Sequence, residues 1–393
     1  MSTAWIIAGK RTPIGRFLGD FANIPAPKLA GFSIKASVEE SRIDPTEIGE
    51  LIMGQVLSAG VGQAPARQAL HAAGLSDSIG AVTINKVCGS GLFAAMLAVR
   101  SIQAGVCHAV LAGGMESMSQ APHLLRQGRG GWKYGNQPLL DVIEVDGLRC
   151  ARSQSLMGAY AERVADQHQL SRVVQDQWSL QSHQRAIAAQ QQQLFQNEIV
   201  AVPVSDTQSI AQDAGPRADS SLEKLGKLKP AFDMSGSVTA GNASTLSDGA
   251  ASLLVVNDEL KRSLRPAHAF RVVASTVMSC EPADLFLAPV GAVQKIIAMT
   301  KLTMANIDLF EINEAFASQT LACIQELGLP HDKVNIHGGA IALGHPIGCS
   351  GARVLVTLMN ALVARQAQYG IATLCLGGGE AVAMLIEHQI SAS

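Results

Sequence analysis

One plan of apolar strand, glycine corner, helix and apolar strand occurs twice in this chain. In the first copy Ala81-Val82-Thr83-Ile84 reads as a strand end, and Gly91 to Ala104 as a helix with a strong apolar face. Ala109-Val110-Leu111-Ala112 follows as a short buried strand, closed by Gly113-Gly114. In the second copy Gly348-Cys349-Ser350-Gly351 opens a helical run through Val363, and Ile371 to Leu376 is a strand closed by Gly377-Gly378-Gly379. Gly91 and Gly351 lie 260 residues apart, and the clusters that start at Gly113 and Gly377 lie 264 apart. That spacing points to duplicated α/β halves. With 393 residues the chain exceeds one ordinary core, which agrees with two.

Between the halves the texture changes. From about Ser117 to Thr245 the chain is richer in Arg, Gln, Ser and Asp, with long helices expected at Met157–Gln169 and Ser171–Phe195. The run Gln190 to Gln193 reads as solvated helix surface. Lys229-Pro230 and Gly241-Asn242 punctuate the return to apolar strand at Ala251–Val256. The expected division is residues 1–117 plus 247–267 for the first half, 118–246 for an inserted loop domain over one end, and 268–393 for the second half.

Bulk composition excludes several classes. A hydrophobic share of 48% with 16% charged residues describes a well-buried protein, and a net charge of −2 gives no electrostatic case for nucleic acid or an anionic membrane. No run approaches the roughly 20 apolar residues needed to cross a bilayer. The segment Met1–Lys10 is too short in apolar residues for a signal peptide, and Ile390–Ser393 is no peroxisomal address. Seven cysteines with no C-x-x-C pair favour neither a disulfide framework nor a zinc site. The expectation is a soluble, cytoplasmic protein without a metal.

Four residues carry candidate chemistry. Cys88 lies between a strand and a helix start, where backbone N–H groups and the helix dipole would favour thiolate. His345, in Gly-His-Pro-Ile-Gly, could take a proton from such a thiol. Cys375 ends an apolar strand beside three glycines, where the Gly377 N–H could face a developing oxyanion. Asn313 could hold a water or donate to a carbonyl oxygen. Each has an ordinary explanation: a buried small residue for the cysteines, a structural histidine, a helix cap for Asn313. Cys107 and Cys323 lack glycine corners and are taken as core.

The set Asn85–Gly91, Asn313–Phe316, Gly338–Gly348 and Cys375–Gly379 resembles the thiolase family, its acetyl-CoA acetyltransferases in particular. The likeness runs from Trp5–Gly15 to the end and includes Val238–Ser244 and Asp248–Ala251. It implies a five-layered αβαβα sandwich of two similar halves with an inserted loop domain. It also implies dimers or tetramers, and no permanently bound cofactor, with coenzyme A and acetyl-CoA as substrates. Cys88 would carry the acyl group as a thioester, with His345 activating it, and Cys375 would move the α-proton of the second acyl-CoA. Asn313, through a water, and His345 would form one oxyanion site; the N–H groups of Cys88 and Gly377 would form the other. CoA would lie on the insertion, with Arg217 near the adenine, Met157, Phe232, Ala243 and Phe316 along the ligand and Ser244 at the pantetheine. Gln127–Lys133 is a candidate contact or CoA-facing loop.

Several positions depart from the family's pattern. Leu156 stands where a histidine often precedes Met-Gly, and Thr245 where glycine is usual. Cys349 replaces a common alanine, and Glu380-Ala381 a polar residue and glycine. Leu285, Phe286 and Ala288 occupy a stretch that tends to be Met-Gly-x-Gly-Pro. None removes a proposed catalytic group, while Leu156 and Phe286 leave the acyl chain length open. Two alternatives stay open as well: a decarboxylative ketosynthase, which would need no basic cysteine, and a non-catalytic acyl-CoA-binding protein.

Overall fold

A computed structural model describes residues 2–389. Met1, the tail Ile390–Ser393 with the address reading made on it, and the end of segment 268–393 lie outside the described residues. The first half holds β1 (Trp5–Arg11), α1 (Ala26–Ser41), β2 (Ile48–Gly54), α2 (Pro65–Ala72), β3 (Gly80–Ile84), α3 (Ser90–Gln103) and β4 (Ala109–Ser117). After a long excursion with α4 (Met157–Gln167) and α5 (Arg172–Gln191), β5 (Ser247–Val256) completes it. The second half holds β6 (Phe270–Ser279), α6 (Ala288–Ala298), β7 (Leu309–Ile312) and α7 (Ala317–Leu327). It ends with α8 (Ile347–Arg365), β8 (Tyr369–Leu376) and β9 (Glu380–His388).

The duplication is visible in the pairing. In the first half the strands β2-β4-β5-β1 lie side by side, the first pair parallel and the next two antiparallel. In the second half β7-β8-β9-β6 repeat that order and those directions. β3 adds a parallel edge strand beyond β2. The two halves join at β1 and β6, by the pairs Trp5 with Arg271 and Ile6 with Phe270.

Apolar side chains fill three separate layers. In the middle, Leu92, Ala95 and Val99 of α3 meet Leu355, Leu358 and Leu362 of α8, between Leu253 and Val255 of one half and Leu374 and Val382 of the other. Outside the first half, Leu29 and Ile34 of α1 and Leu70 of α2 cover Leu51 and Leu254. Outside the second, Val293 and Ile296 of α6 and Leu321 of α7 cover Phe310 and Leu385. The result is αβαβα, and each fully buried leucine contributes about 2 kcal/mol of transfer free energy.

Two expectations are corrected here. Gly113-Gly114 does not close a strand: β4 runs on to Ser117, and the glycines are there because neighbouring backbone comes too close for a side chain. A Cβ at Gly113 would lie 2.2 Å from the Ala251 carbonyl oxygen, and one at Gly114 would lie 2.0 Å from that of Gly348. The other cluster does turn the chain, with Gly378 and Gly379 at φ 94° and 91° between β8 and β9. The clusters at Gly113 and Gly377 are therefore not equivalent, although the halves are. The second correction concerns apolar length. α8 is 19 residues long with mean hydropathy 1.6, long and apolar enough to cross a membrane, and 83% of that stretch is buried inside the protein. Its apolar surface all round follows from its place between two sheets.

Between Ser117 and Ser247 no strand joins the large sheet among the described residues; the segment has two small two-stranded sheets of its own. Gln191 to Gln193 are exposed as expected, while Gln190 Nε2 donates to the Asp213 carbonyl over 3.1 Å.

Candidate active site

Three of the glycine corners meet in one cavity of about 430 Å³, lined by Cys88, His345, Cys375 and Gly377 among others. Cys88 arrives on the loop between β3 and α3. Asn85 Oδ1 accepts from the Val87 N–H at 3.0 Å, and Ser90 Oγ bonds the Lys86 N–H and the Val87 carbonyl at 2.8 and 2.7 Å. Val87 is thereby held at φ 46°, a left-handed conformation that is costly for a β-branched residue.

The thiol's electrostatics differ from the expectation of a ready thiolate. Burial pushes the Cys88 thiol up to about 11, against the pull of the Gly377 and Cys88 backbone N–H groups that face the sulfur. Desolvation thus outweighs the helix start, and the resting group is the thiol. Cys375, at the end of β8, is pushed well above the ordinary thiol value by burial and then by the nearby Cys88 and Cys323. Both cysteines rest protonated.

His345 lines the same cavity as Cys88. Burial, and then the Arg353 charge, lower its pKa to about 3, so the imidazole is neutral at any ordinary pH. Its Nδ1 lies 2.6 Å from Ser350 Oγ, and that hydroxyl donates to the Pro346 carbonyl over 2.9 Å. With its single proton engaged there, Ser350 accepts from Nδ1–H. The tautomer that follows leaves Nε2 as the unprotonated nitrogen, a hydrogen-bond acceptor.

Asn313 is fully buried and is not among the residues lining the cavity. Its capping role is not found: α7 begins at Ala317 with Phe316 at the cap position. Instead Asn313 Oδ1 accepts from Arg353 Nη2 at 3.5 Å, and its Nδ2 has no hydrogen-bond partner among the described residues. With the oxygen occupied, the amide presents a free donor that fits an ordered water.

Of the proposed CoA contacts, Met157, Phe232, Ala243, Ser244 and Phe316 line the same cavity. Ala243 forms an isolated bridge with Phe316, and Ser244 N–H donates to Ala315 at 3.0 Å, which joins the insertion to the Asn313–Phe316 loop. Arg217 lies outside the cavity on the surface, with its N–H on His183 Nδ1 at 3.2 Å. The departures gather on the cavity wall: Leu156, Thr245, Leu285 and Phe286 all line it. Phe286 stacks edge-on against Phe316 at 5.5 Å, and Phe316 against Phe232 at 6.1 Å. Cys349 is a buried part of the middle layer.

Two further acids, Glu116 and Glu314, support the site. Glu116 accepts from the N–H groups of Val56, Leu57 and Gly348 at 3.1, 3.1 and 2.9 Å, and so fixes the turn that carries His345. Glu314 gathers Trp178, Ser182, Asn335 and Ile341 at 2.7 to 3.2 Å. A carboxylate inside an otherwise apolar strand was the available signal for Glu116.

The profile of the thiolase N-terminal domain matches residues 4–259, and that of the thiolase C-terminal domain matches residues 267–388. The acetyl-CoA acetyltransferase of Escherichia coli (strain K12) is 47% identical over 394 residues, covering 99% of this chain and 100% of that protein. The acetyl-CoA acetyltransferase of Chromobacterium violaceum is 47% identical over 389 residues, 98% of this chain and 99% of that one. The crystal structure of the Bacillus anthracis acetyl-CoA acetyltransferase superposes with a TM-score of 0.95 at 38% identity, covering 99% of each chain. The chain belongs to the thiolase family.

Proposed function

We propose that this protein is an acetyl-CoA C-acetyltransferase, which joins two acetyl-CoA into acetoacetyl-CoA and CoA, reversibly, through an acyl group on Cys88. The observation that carries the reading is the meeting of two thiols and a neutral imidazole in one cavity, with the Gly377 N–H facing the nucleophilic sulfur. His345 Nε2 takes the Cys88 proton as the sulfur attacks the thioester carbonyl. The N–H groups of Cys88 and Gly377 hold the tetrahedral oxyanion, and CoA leaves as the thiol with the proton of Cys375, which leaves Cys375 as thiolate and His345 still protonated. The second acetyl-CoA then loses an α-proton to Cys375 as thiolate. Its enolate oxygen is held by protonated His345 and by a water on Asn313 Nδ2, its carbon attacks acyl-Cys88, the acyl C–S bond breaks, and the Cys88 sulfur takes back the His345 proton. Splitting the reaction into two half-steps gives ping-pong kinetics.

The substrate's pantetheine lies along Met157, Phe232, Ala243, Ser244 and Phe316, with the adenine toward Arg217. The division at 117, 246 and 267 agrees with β4 ending at Ser117 and β5 starting at Ser247. A homo-oligomer is supported by edge strand β3, whose Val82 is 40% exposed, and by exposed Leu125, Trp132, Tyr134 and Leu139 around the Gln127–Lys133 loop. Seven free cysteines agree with a reducing, cytoplasmic setting. A second cysteine in the cavity favours this chemistry over decarboxylative condensation.

Cys88→Ala tests the assignment: thiolysis of acetoacetyl-CoA should fall at least roughly 10⁴-fold. Retained turnover would falsify the mechanism, and CO2 release from a malonyl thioester would support the ketosynthase instead.

A further inference from the structure

Lys86 stands two residues before Cys88, and Glu380 three residues after Gly377. Their side chains meet, Nζ to Oε2, at 2.6 Å. Each end has a second anchor. Lys86 Nζ lies over the Phe93 ring at 5.2 Å, and Glu380 Oε1 accepts from Ser279 Oγ at 3.2 Å. The two side chains are 20% and 33% exposed, so water screens the pair only in part.

The loops that the pair joins are the two that form the oxyanion site. One holds Val87 in its strained conformation, and the other is the turn Gly377-Gly378-Gly379, which has no side chains of its own to fasten it. They touch: a Cβ at Gly377 would lie 3.2 Å from Val87 Cγ1, and one at Gly89 would lie 2.3 Å from Leu376 Cδ2. Glu380 is the first side chain after the glycine turn. Neither Lys86 nor Glu380 lines the cavity, so neither touches substrate.

We infer that the Lys86–Glu380 ion pair is a positioning clamp, which holds the Gly377 N–H against the Cys88 sulfur so that the oxyanion site is formed before the acyl group arrives. The charge pair ties the loop before Cys88 to the strand that follows the glycine turn. The inference rests on Cys88 as nucleophile. It concerns a residue type, an acid at position 380, that departs from the family's pattern.

The test compares wild type with Glu380→Ala, Lys86→Met and the reversed pair Lys86→Glu/Glu380→Lys. The readouts are kcat and KM for acetoacetyl-CoA thiolysis, single-turnover acylation of Cys88 by acetyl-CoA followed by mass, and thermal midpoint. Each single variant should acylate about tenfold more slowly, ~1.4 kcal/mol of barrier, with kcat lowered alike. KM should stay within about twofold, because the ground-state contacts are intact. The reversed pair should recover most of the loss. Sodium chloride at about 1 M should slow the wild type and leave Glu380→Ala unaffected, because screening weakens only an intact pair. Unchanged acylation in Glu380→Ala would overturn the clamp, as would a reversed pair no faster than the single variants at equal thermal midpoint. Cys88→Ala separates the two claims: activity in that variant sinks the catalytic reading and the clamp together, whereas an inactive Cys88→Ala beside a fully active Glu380→Ala sinks the clamp alone.

Discussion

Desolvation dominates the protonation of Cys88, Cys375 and His345. Burial raises both thiols and lowers His345, so the resting site holds neutral partners and no ion pair. In the proposed mechanism proton transfer then accompanies attack, and the fixed N–H groups near the sulfur would supply the stabilisation that water would otherwise give. The wall residues decide what enters. Phe286, 3% exposed and edge-on to Phe316, places a ring where the family pattern tends to have glycine. Phe286→Ala should open the cavity and raise kcat/KM for the C6 3-ketoacyl-CoA relative to acetoacetyl-CoA by about 30-fold, and for the C8 substrate by more, since each methylene accommodated is worth about 1 kcal/mol. A chain-length survey that kept the wild-type ratios would assign Phe286 to packing alone. The identities of these residues were legible in the sequence, and their convergence on one cavity was not, because 130 residues separate Leu156 from Phe286.

β4 and α8 show how elements fix the site. The backbone of β4 at Gly114 lies against the first turn of α8 so closely that no side chain fits, and Glu116 on the same strand holds the Gly348 N–H. The turn carrying His345 is thus seated on the first half of the molecule, although it belongs to the second. Gly114→Ala would force a Cβ to 2.0 Å from the Gly348 carbonyl. It should cost more than about 2 kcal/mol of stability by overpacking, and lower kcat through a displaced His345. Thermal unfolding and kcat measured on one preparation check it, and an unchanged midpoint would contradict the close contact. Strand and helix existence were readable from periodicity; the meaning of Gly113-Gly114 was not. Glycine pairs look alike in sequence whether they turn the chain or admit a neighbour.

At the scale of the whole molecule, burial between layers also shapes acid stability. Burial lowers His183 and His337 to about 4 and His345 to about 3, with Arg217 and Arg16, Arg365 and Arg353 adding their positive charges in turn. In the unfolded chain each imidazole gains its proton near pH 6.5. Below that value the unfolded state binds more protons, so stability falls as pH drops toward the folded values. Glu116 and Glu311, raised by burial to about 7 and about 8, act in the opposite sense, but only above their ordinary value of 4.5. Between pH 4.5 and the folded histidine values the histidine effect stands unopposed by that pair, at up to about 1.4 kcal/mol per pH unit for each histidine. His337→Gln should flatten the acid limb of a thermal-midpoint profile by about one proton's slope, and an unaltered limb would show that His337 is not held neutral.

The sequence alone determined the duplicated α/β plan and the residue types for acyl transfer, because periodicity and glycine corners are local properties of the chain. It also marked where the walls depart from the family. Only the tertiary structure decided that Asn313 is held by Arg353 instead of capping a helix, that Cys88 rests as a thiol, and that Lys86 meets Glu380. Each of these depends on burial or on a partner far along the chain, and neither desolvation nor long-range contact is written in local pattern.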